Sequence, residues 1–156
     1  ILIANRKNGS PYTQVSLGVG GSAVGTVGAG RQIHTFLIGN LSYSVGRWET
    51  VTAENYADGN WHHAAMVREG NALSPVLYVD GEPVPVNILN RSGALLDVDS
   101  ADPWRIGSNG TAGNYFAGLL DEAALWDTAL TGEEVAWLAK NSLAAIPLRG
   151  TLLRVQ

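Results

Sequence analysis

Short segments in which apolar and polar residues alternate run through most of the chain and predict β-strands. The clearest alternation lies at residues 12–19 (YTQVSLGV), where every second residue from Val15 to Val19 is apolar. We count roughly nine or ten such segments, most of them followed by a turn signal rich in Gly, Asn or Asp. Short strands at close spacing are typical of an all-β fold, here an antiparallel two-sheet jelly-roll sandwich.

One short helix is predicted towards the C-terminal end, directly after a last strand-like segment at residues 116–126. Thr131 and Glu134 have the spacing of a capping box, in which each side chain accepts from the other residue's backbone N–H. Val135 and Leu138 then recur at helical spacing. The sandwich is therefore expected to carry one C-terminal helix.

A hairpin is predicted at Asp80-Gly81, a dipeptide that suits a two-residue type I′ turn. The strands on either side of this turn are expected at Pro75–Val79 and Glu82–Ile88. Pro83 and Pro85 remove two backbone donors from the return strand, which predicts a position at a sheet edge or beside a bulge.

Composition limits the classes of partner. The 156 residues suffice for a single domain, residues 1–156, with a sizeable core. A net charge of −4 disfavours nucleic acid as a partner, and no apolar run approaches the length of a membrane span, so no membrane insertion is expected. The absence of cysteine excludes disulfides and thiolate metal sites.

Candidate metal ligands are few. His62 and His63 are neighbours on a strand predicted from Trp61 to Val67 and point to opposite faces, so they are not expected to share an ion. The acidic run at Asp97, Asp99 and Asp102 lacks the EF-hand pattern, which leaves a looser calcium site or a solvated acidic loop. Asp121 lies on an otherwise apolar side of its predicted strand and therefore needs a hydrogen-bonding partner or a metal ion.

Four segments together resemble the laminin G-like, pentraxin-like domains of the concanavalin A-like lectin/glucanase superfamily. They are DGNWHHAAMV at 58–67, LYVDG at 77–81, WRIG at 104–107 and FAGLLDEAALW at 116–126. The resemblance implies a concanavalin A-like jelly roll whose rim loops bind glycans and which carries one calcium ion. Asp121 matches the aspartate of the family's I-D-E segment and is therefore implied as a calcium ligand.

The resemblance also implies an N-terminal strand and loop that would precede Ile1, and the chain is predicted to lack them. The sheet is then expected to have an open edge. Either residues 151–155 or another chain would have to fill that edge.

The first functional hypothesis is a non-catalytic, glycan-binding or adhesive module of a larger extracellular or cell-surface protein, secreted and bacterial. A carbohydrate or glycoprotein would be its partner, because sugar faces stack on aromatic rings while hydroxyls need fixed polar groups. Trp61 and Trp126 are assigned to the scaffold. The expected contacts lie in or near loops: Tyr43, Trp48, Tyr56, Asn109, Asn114 and Tyr115.

Two alternatives remain open from the sequence. A structural or assembly module would use the open edge to bind a protein partner or a second copy. A glycosidase would need two carboxylates at a suitable separation. Asp121 and Glu122 point to opposite sides of a strand and Asp127 lies beyond it, so this spacing disfavours an enzyme.

Overall fold

A computed structural model of the chain describes residues 2–7, 13–20, 32–42, 45–70, 74–92, 102–108, 110 and 115–141. This part of the chain contains nine strands and one helix. The elements are β1 (Ile3–Lys7), β2 (Thr13–Val19), β3 (Ile33–Ser42), β4 (Val45–Thr52), β5 (Ala64–Val67), β6 (Val76–Val79), β7 (Glu82–Pro83), β8 (Val86–Ser92), β9 (Trp104–Ile106) and α1 (Gly132–Leu138).

The strands form two antiparallel sheets. The larger sheet has the order β8-β4-β3-β2-β1-β9, and the smaller sheet has the order β5-β6-β7. The predicted all-β sandwich with one short helix is therefore confirmed. Among the described residues, no helix has the length and hydrophobicity that a membrane crossing requires.

The hydrophobic core lies between the two sheets. Leu17 and Ile33 of the larger sheet pack with Leu77 and Val79 of the smaller sheet, and all four side chains are buried. A neighbouring cluster joins Leu37 to Trp48, with Met66 packed against it. The alternation along β2 places its apolar residues on this inner side, and burial of that side stabilises the sandwich.

The other face of the larger sheet is also buried, and it carries polar and charged residues. Ser16, Phe36 and Glu49 occupy neighbouring positions on three adjacent strands. Arg47 pairs with Glu49, with only 6% and 1% of the two side chains exposed, and its guanidinium lies 4.9 Å from the Phe36 ring centroid. The ion pair compensates two charges that would be costly to bury alone.

The predicted β6–β7 hairpin is confirmed at its turn. Val79 pairs with Glu82, and both Asp80 and Gly81 adopt the positive φ that a type I′ turn requires. The return strand then leaves the smaller sheet and continues as β8 in the larger one. Both β7 and β8 lie at sheet edges in the described part of the chain, as the two prolines predict.

The helix also begins as predicted. Thr131 donates its backbone N–H to the Glu134 carboxylate at 2.8 Å, and Glu134 donates its backbone N–H to the Thr131 hydroxyl at 3.2 Å. Val135 is the buried residue of α1. The helix packs closely against the hairpin turn. A Cβ on Gly81 would lie only 3.0 Å from Ala136 Cα and 3.1 Å from Ala139 Cβ.

The strand predicted within residues 116–126 is absent from the structure. Glu122 has a left-handed backbone with φ 50°, which interrupts an extended strand. Its N–H donates to Asp121 Oδ1 at 2.8 Å instead of to a neighbouring strand. Asp121 is therefore an exposed residue of an irregular segment here, and Leu119 is 77% exposed.

Replacement of Gly81 tests the contact between the hairpin turn and the helix. Gly81→Ala should lower the free energy of unfolding by about 1–3 kcal/mol, because alanine is strained at positive φ and its methyl group meets the helix backbone. Urea unfolding measures the change.

Gly59→Ala is the matched control. Gly59 also has positive φ, at 93°, but a Cβ there would have no atom within 4 Å. Gly59→Ala should therefore lower the free energy of unfolding only by the cost of the backbone strain. Equal decreases in the free energy of unfolding in the two variants would show that the close packing of α1 on Gly81 contributes nothing to stability.

Candidate functional site

Two turn segments far apart in sequence meet at one end of the smaller sheet. The loop at residues 56–63 joins β4 to β5, and the second segment is the β6–β7 turn. Asp80 connects them through its backbone N–H, which donates to the His63 carbonyl at 2.8 Å. Asp80 Oδ1 accepts from the His63 backbone N–H at 2.9 Å, so the turn is fixed to the base of the loop.

The His62 ring lies between two carboxylates. Its Nδ1 is 2.8 Å from Asp80 Oδ2, and its Nε2 is 3.1 Å from Asp58 Oδ1. The Tyr56 ring meets the imidazole edge-on, with 5.4 Å between the ring centroids. The pKa of His62 is raised above 6.5, and the largest cause is the hydrogen bond with Asp80. Burial acts in the opposite direction, and the hydrogen bond with Asp58 adds a smaller upward shift.

Asp58 and Asn60 hold the tip of the loop in one conformation. Asn60 donates its backbone N–H to Asp58 Oδ1 at 2.9 Å and its side-chain amide to Asp58 Oδ2 at 2.8 Å. These bonds, together with the one to His62, lower the pKa of Asp58 to about 2. The Asp58 carboxylate is therefore charged at every pH at which the protein would work.

Trp61 lies on this loop and is 66% exposed, which corrects its assignment to the scaffold. The strand that was expected to contain it begins only at Ala64. The sequence does contain a signal for a longer loop at Asp58. An Asp side chain readily accepts a hydrogen bond from the backbone N–H two residues later, here that of Asn60. Trp126 is half-buried, which agrees with a packing role.

The other predicted ligand contacts do not gather at this loop. Trp48 is 3% exposed and packs beside Leu37 in the core, so its indole stabilises the sandwich and we remove it from the contact set. Tyr56 is half-buried against His62, and Tyr115 is exposed beside β9. Three further predicted contacts lie outside the described residues: Tyr43, Asn109 and Asn114.

The predicted calcium ligands lie only partly within the described residues. Within them, no group of three or more His, Asp or Glu side chains is placed to hold a metal ion. One oxygen of Asp121 already accepts from the Glu122 N–H, and the main-chain oxygen of Asp102 accepts from the Asn5 side chain. Asp97 and Asp99 lie outside the described residues.

Comparison with known families decides what kind of domain this is. A laminin G family model, described as the concanavalin A-like lectin/glucanases superfamily, matches residues 6–136. The chain belongs to this superfamily. The matched range includes both sheets except for the first three residues of β1, and it also includes the loop at residues 56–63, the β6–β7 turn and most of α1. No solved structure matches the chain at a significant level.

Two curated superfamily relatives are much longer proteins. The adhesion G-protein coupled receptor V1 of Danio rerio is 31% identical over 103 residues, which is 66% of this chain and 2% of the receptor. A Rattus norvegicus protein containing sushi, von Willebrand factor type A, EGF and pentraxin domains is 27% identical over 127 residues, which is 72% of this chain and 3% of that protein. The chain is thus similar to one module of each relative.

The contact between His62 and Asp80 can be tested by its effect on the histidine pKa. Asp80→Asn should lower the pKa of His62 towards 6.5, because Asp80 is the largest cause of its elevation. Asparagine tolerates positive φ, so the turn itself is retained. NMR titration of the His62 ring measures the shift.

Asp58→Asn is the comparison variant. It should lower the pKa of His62 by less than Asp80→Asn does, since Asp58 is the weaker partner. An unchanged His62 pKa in Asp80→Asn would contradict the described geometry.

Proposed function

We propose that the chain is a non-catalytic, adhesive module of an extracellular protein and that it binds carbohydrate or glycoprotein. Membership of the laminin G group and similarity to one module of an adhesion receptor support the general class. The observation that supports glycan binding is the exposed Trp61 on a loop whose polar groups are already ordered. We call the surface formed by Asp58, Asn60 and Trp61 the Trp61 surface.

The chemistry of the Trp61 surface suits a sugar. An exposed indole offers a flat apolar face to the C–H groups of a pyranose ring. The Asp58 carboxylate and the Asn60 amide lie on the same loop, within one to three residues of Trp61, and both accept hydrogen bonds from hydroxyls. Their mutual bonds restrain the loop before any ligand arrives, which lowers the entropic cost of binding.

The local charge favours neutral sugars. Asp58 and Asp80 place two exposed carboxylates at this end of the domain, and His62 compensates at most one of these charges, when its ring is protonated. A sulfated or sialylated glycan would meet net negative charge at short range. We therefore expect neutral glycans to bind and anionic ones to be disfavoured.

Tyr56 and Tyr115 stay in the predicted contact set, because the first borders His62 and the second has an exposed ring. Tyr43, Asn109 and Asn114 also stay predictions. The catalytic alternative has little support, because Asp121, Glu122 and Asp127 are exposed and lie in an irregular segment.

Substitution of Trp61 tests the proposal most directly. Trp61→Ala should weaken binding to neutral glycans by about tenfold or more, since a buried aromatic contact commonly dominates a small binding site. Trp137→Ala is the matched control, because Trp137 is 41% exposed but lies on α1. Glycan-array binding and calorimetry on the best neutral oligosaccharide measure both variants.

Both substitutions should leave the melting temperature nearly unchanged, because the two side chains are exposed. Full affinity in Trp61→Ala would remove the Trp61 surface from the proposal. The absence of saturable binding to any glycan would remove carbohydrate as the ligand class.

An assembly module is the second candidate, and the edge strand β8 favours it. In the described part of the chain β8 pairs with β4 alone, and Ile88 on it is 53% exposed. An apolar edge strand is a template for pairing with another chain. This candidate predicts an oligomer that grows with concentration in light scattering and is reduced by Ile88→Lys. A monomer at all concentrations would exclude self-association.

Calcium binding is a separate proposal, which rests on the family pattern at Asp121 and on the acidic run at Asp97, Asp99 and Asp102. If ligands outside the described residues complete the site, calcium should raise the melting temperature relative to EDTA, because an ion that binds only the folded state stabilises it. Asp121→Asn should abolish that rise. Equal melting temperatures with calcium and with EDTA would show that the folded protein does not bind calcium.

A further inference from the structure

Both nitrogens of the His62 ring face carboxylate oxygens. Ionised carboxylates only accept hydrogen bonds, and the neutral imidazole has a single N–H. The observed pair of contacts, 2.8 Å to Asp80 and 3.1 Å to Asp58, therefore needs a donor on each nitrogen. Only the imidazolium form supplies two.

We propose that protonated His62 is a latch that fixes the loop carrying Trp61 to the β6–β7 hairpin, and that loss of its proton releases the Asp58 side of that loop. The latch itself is independent of any ligand. Its consequence for glycan affinity rests on the proposed function of the Trp61 surface.

The geometry indicates which of the two contacts opens. Asp80 is held by three further constraints: its Oδ1 accepts from the His63 N–H, its own N–H donates to the His63 carbonyl, and the adjacent Gly81 packs against α1. Asp58 is exposed, and its other hydrogen bonds go to Asn60 within the same loop. Neutral His62 should keep its one N–H on Asp80 and lose Asp58.

The groups that face His62 fix the direction of the pH dependence. They are the carboxylates of Asp58 and Asp80 and the edge of the Tyr56 ring, which has Glu54 nearby. The pKa of His62 is raised above 6.5 and that of Asp58 is lowered to about 2. The latch is consequently closed at pH values below the raised pKa of His62 and opens as the pH rises through that pKa.

The other two histidines have the opposite effect on stability. Burial lowers the pKa of both His34 and His63, so the folded protein resists protonation at these sites. Stability from them is complete above pH 6.5 and falls as the pH drops below it. Total stability against pH therefore mixes opposing contributions, and the latch needs a local measurement.

The test uses the ligand-free protein and the matched variant His62→Gln, which keeps an amide donor but cannot be protonated in this range. NMR follows the His62 ring and the amide exchange of Gly59, Asn60 and Trp61 from about pH 5.5 to about pH 9. After correction for intrinsic rates, exchange in the wild type should become roughly two- to fivefold faster as His62 loses its proton, the range for an exposed ion pair.

In His62→Gln, the exchange rates of the loop amides should not increase in this way with pH. The amides of Met66 and Val79 in the smaller sheet should show no such increase in either protein. The latch is overturned if the His62 ring titrates at or below pH 6.5. It is equally overturned if wild-type loop exchange shows no step with pH.

A second measurement separates the latch from the proposed function. Binding to neutral oligosaccharides on the array at pH 6 and pH 9 should weaken about two- to fivefold in the wild type only. A step in loop exchange without glycan binding at either pH would support the latch and reject carbohydrate as the ligand. Glycan binding that is the same at both pH values in wild type and His62→Gln would overturn the proposed effect of the latch on glycan affinity.

Discussion

The turn at Asp80 and Gly81 joins three parts of the molecule that are distant in sequence. The Asp80 carboxylate makes the contact with the loop. Its two oxygens accept from the His63 backbone and approach the His62 ring, and its own backbone turns the β6–β7 hairpin. The next residue, Gly81, lets α1 approach the turn so closely that no side chain would fit. Loop, hairpin and helix therefore share one point of attachment.

This attachment gives the Trp61 surface its order. A loop of this length on a sheet edge would ordinarily sample many conformations, and each ordered residue has an entropic cost. Here the Asp58–Asn60 bonds close the tip and His62 ties it to the hairpin. An exposed tryptophan on a restrained loop is a better binding group than one on a mobile loop, since little further ordering is needed.

The features that the sequence predicts correctly are those decided by neighbours in the chain. The type I′ turn at Asp80-Gly81 and the capping box at Thr131 need only local chemistry, and both are observed. The strand expected within residues 116–126 fails because pairing needs a distant partner, and the left-handed Glu122 ends the extended run.

The candidate site is less predictable for the same reason. Alternation places Trp61 on a strand, whereas an Asp58–Asn60 turn keeps it in a loop. The contact between His62 and Asp80 joins residues 18 positions apart, and no local sequence pattern predicts it. The family resemblance gives the fold correctly because its motifs record the positions of turns and strands, but it does not identify the exposed residues of this loop.

The contact between His62 and Asp80 is expected to stabilise the folded protein directly. A double-mutant cycle with His62→Gln, Asp80→Asn and the double variant, measured by urea unfolding at pH 6, tests it. We expect a coupling free energy of about 0.5 kcal/mol or more, because each single substitution removes the same interaction. If the losses in the free energy of unfolding add within error in the double variant, His62 and Asp80 do not stabilise each other. The loop and the hairpin turn would then be independent.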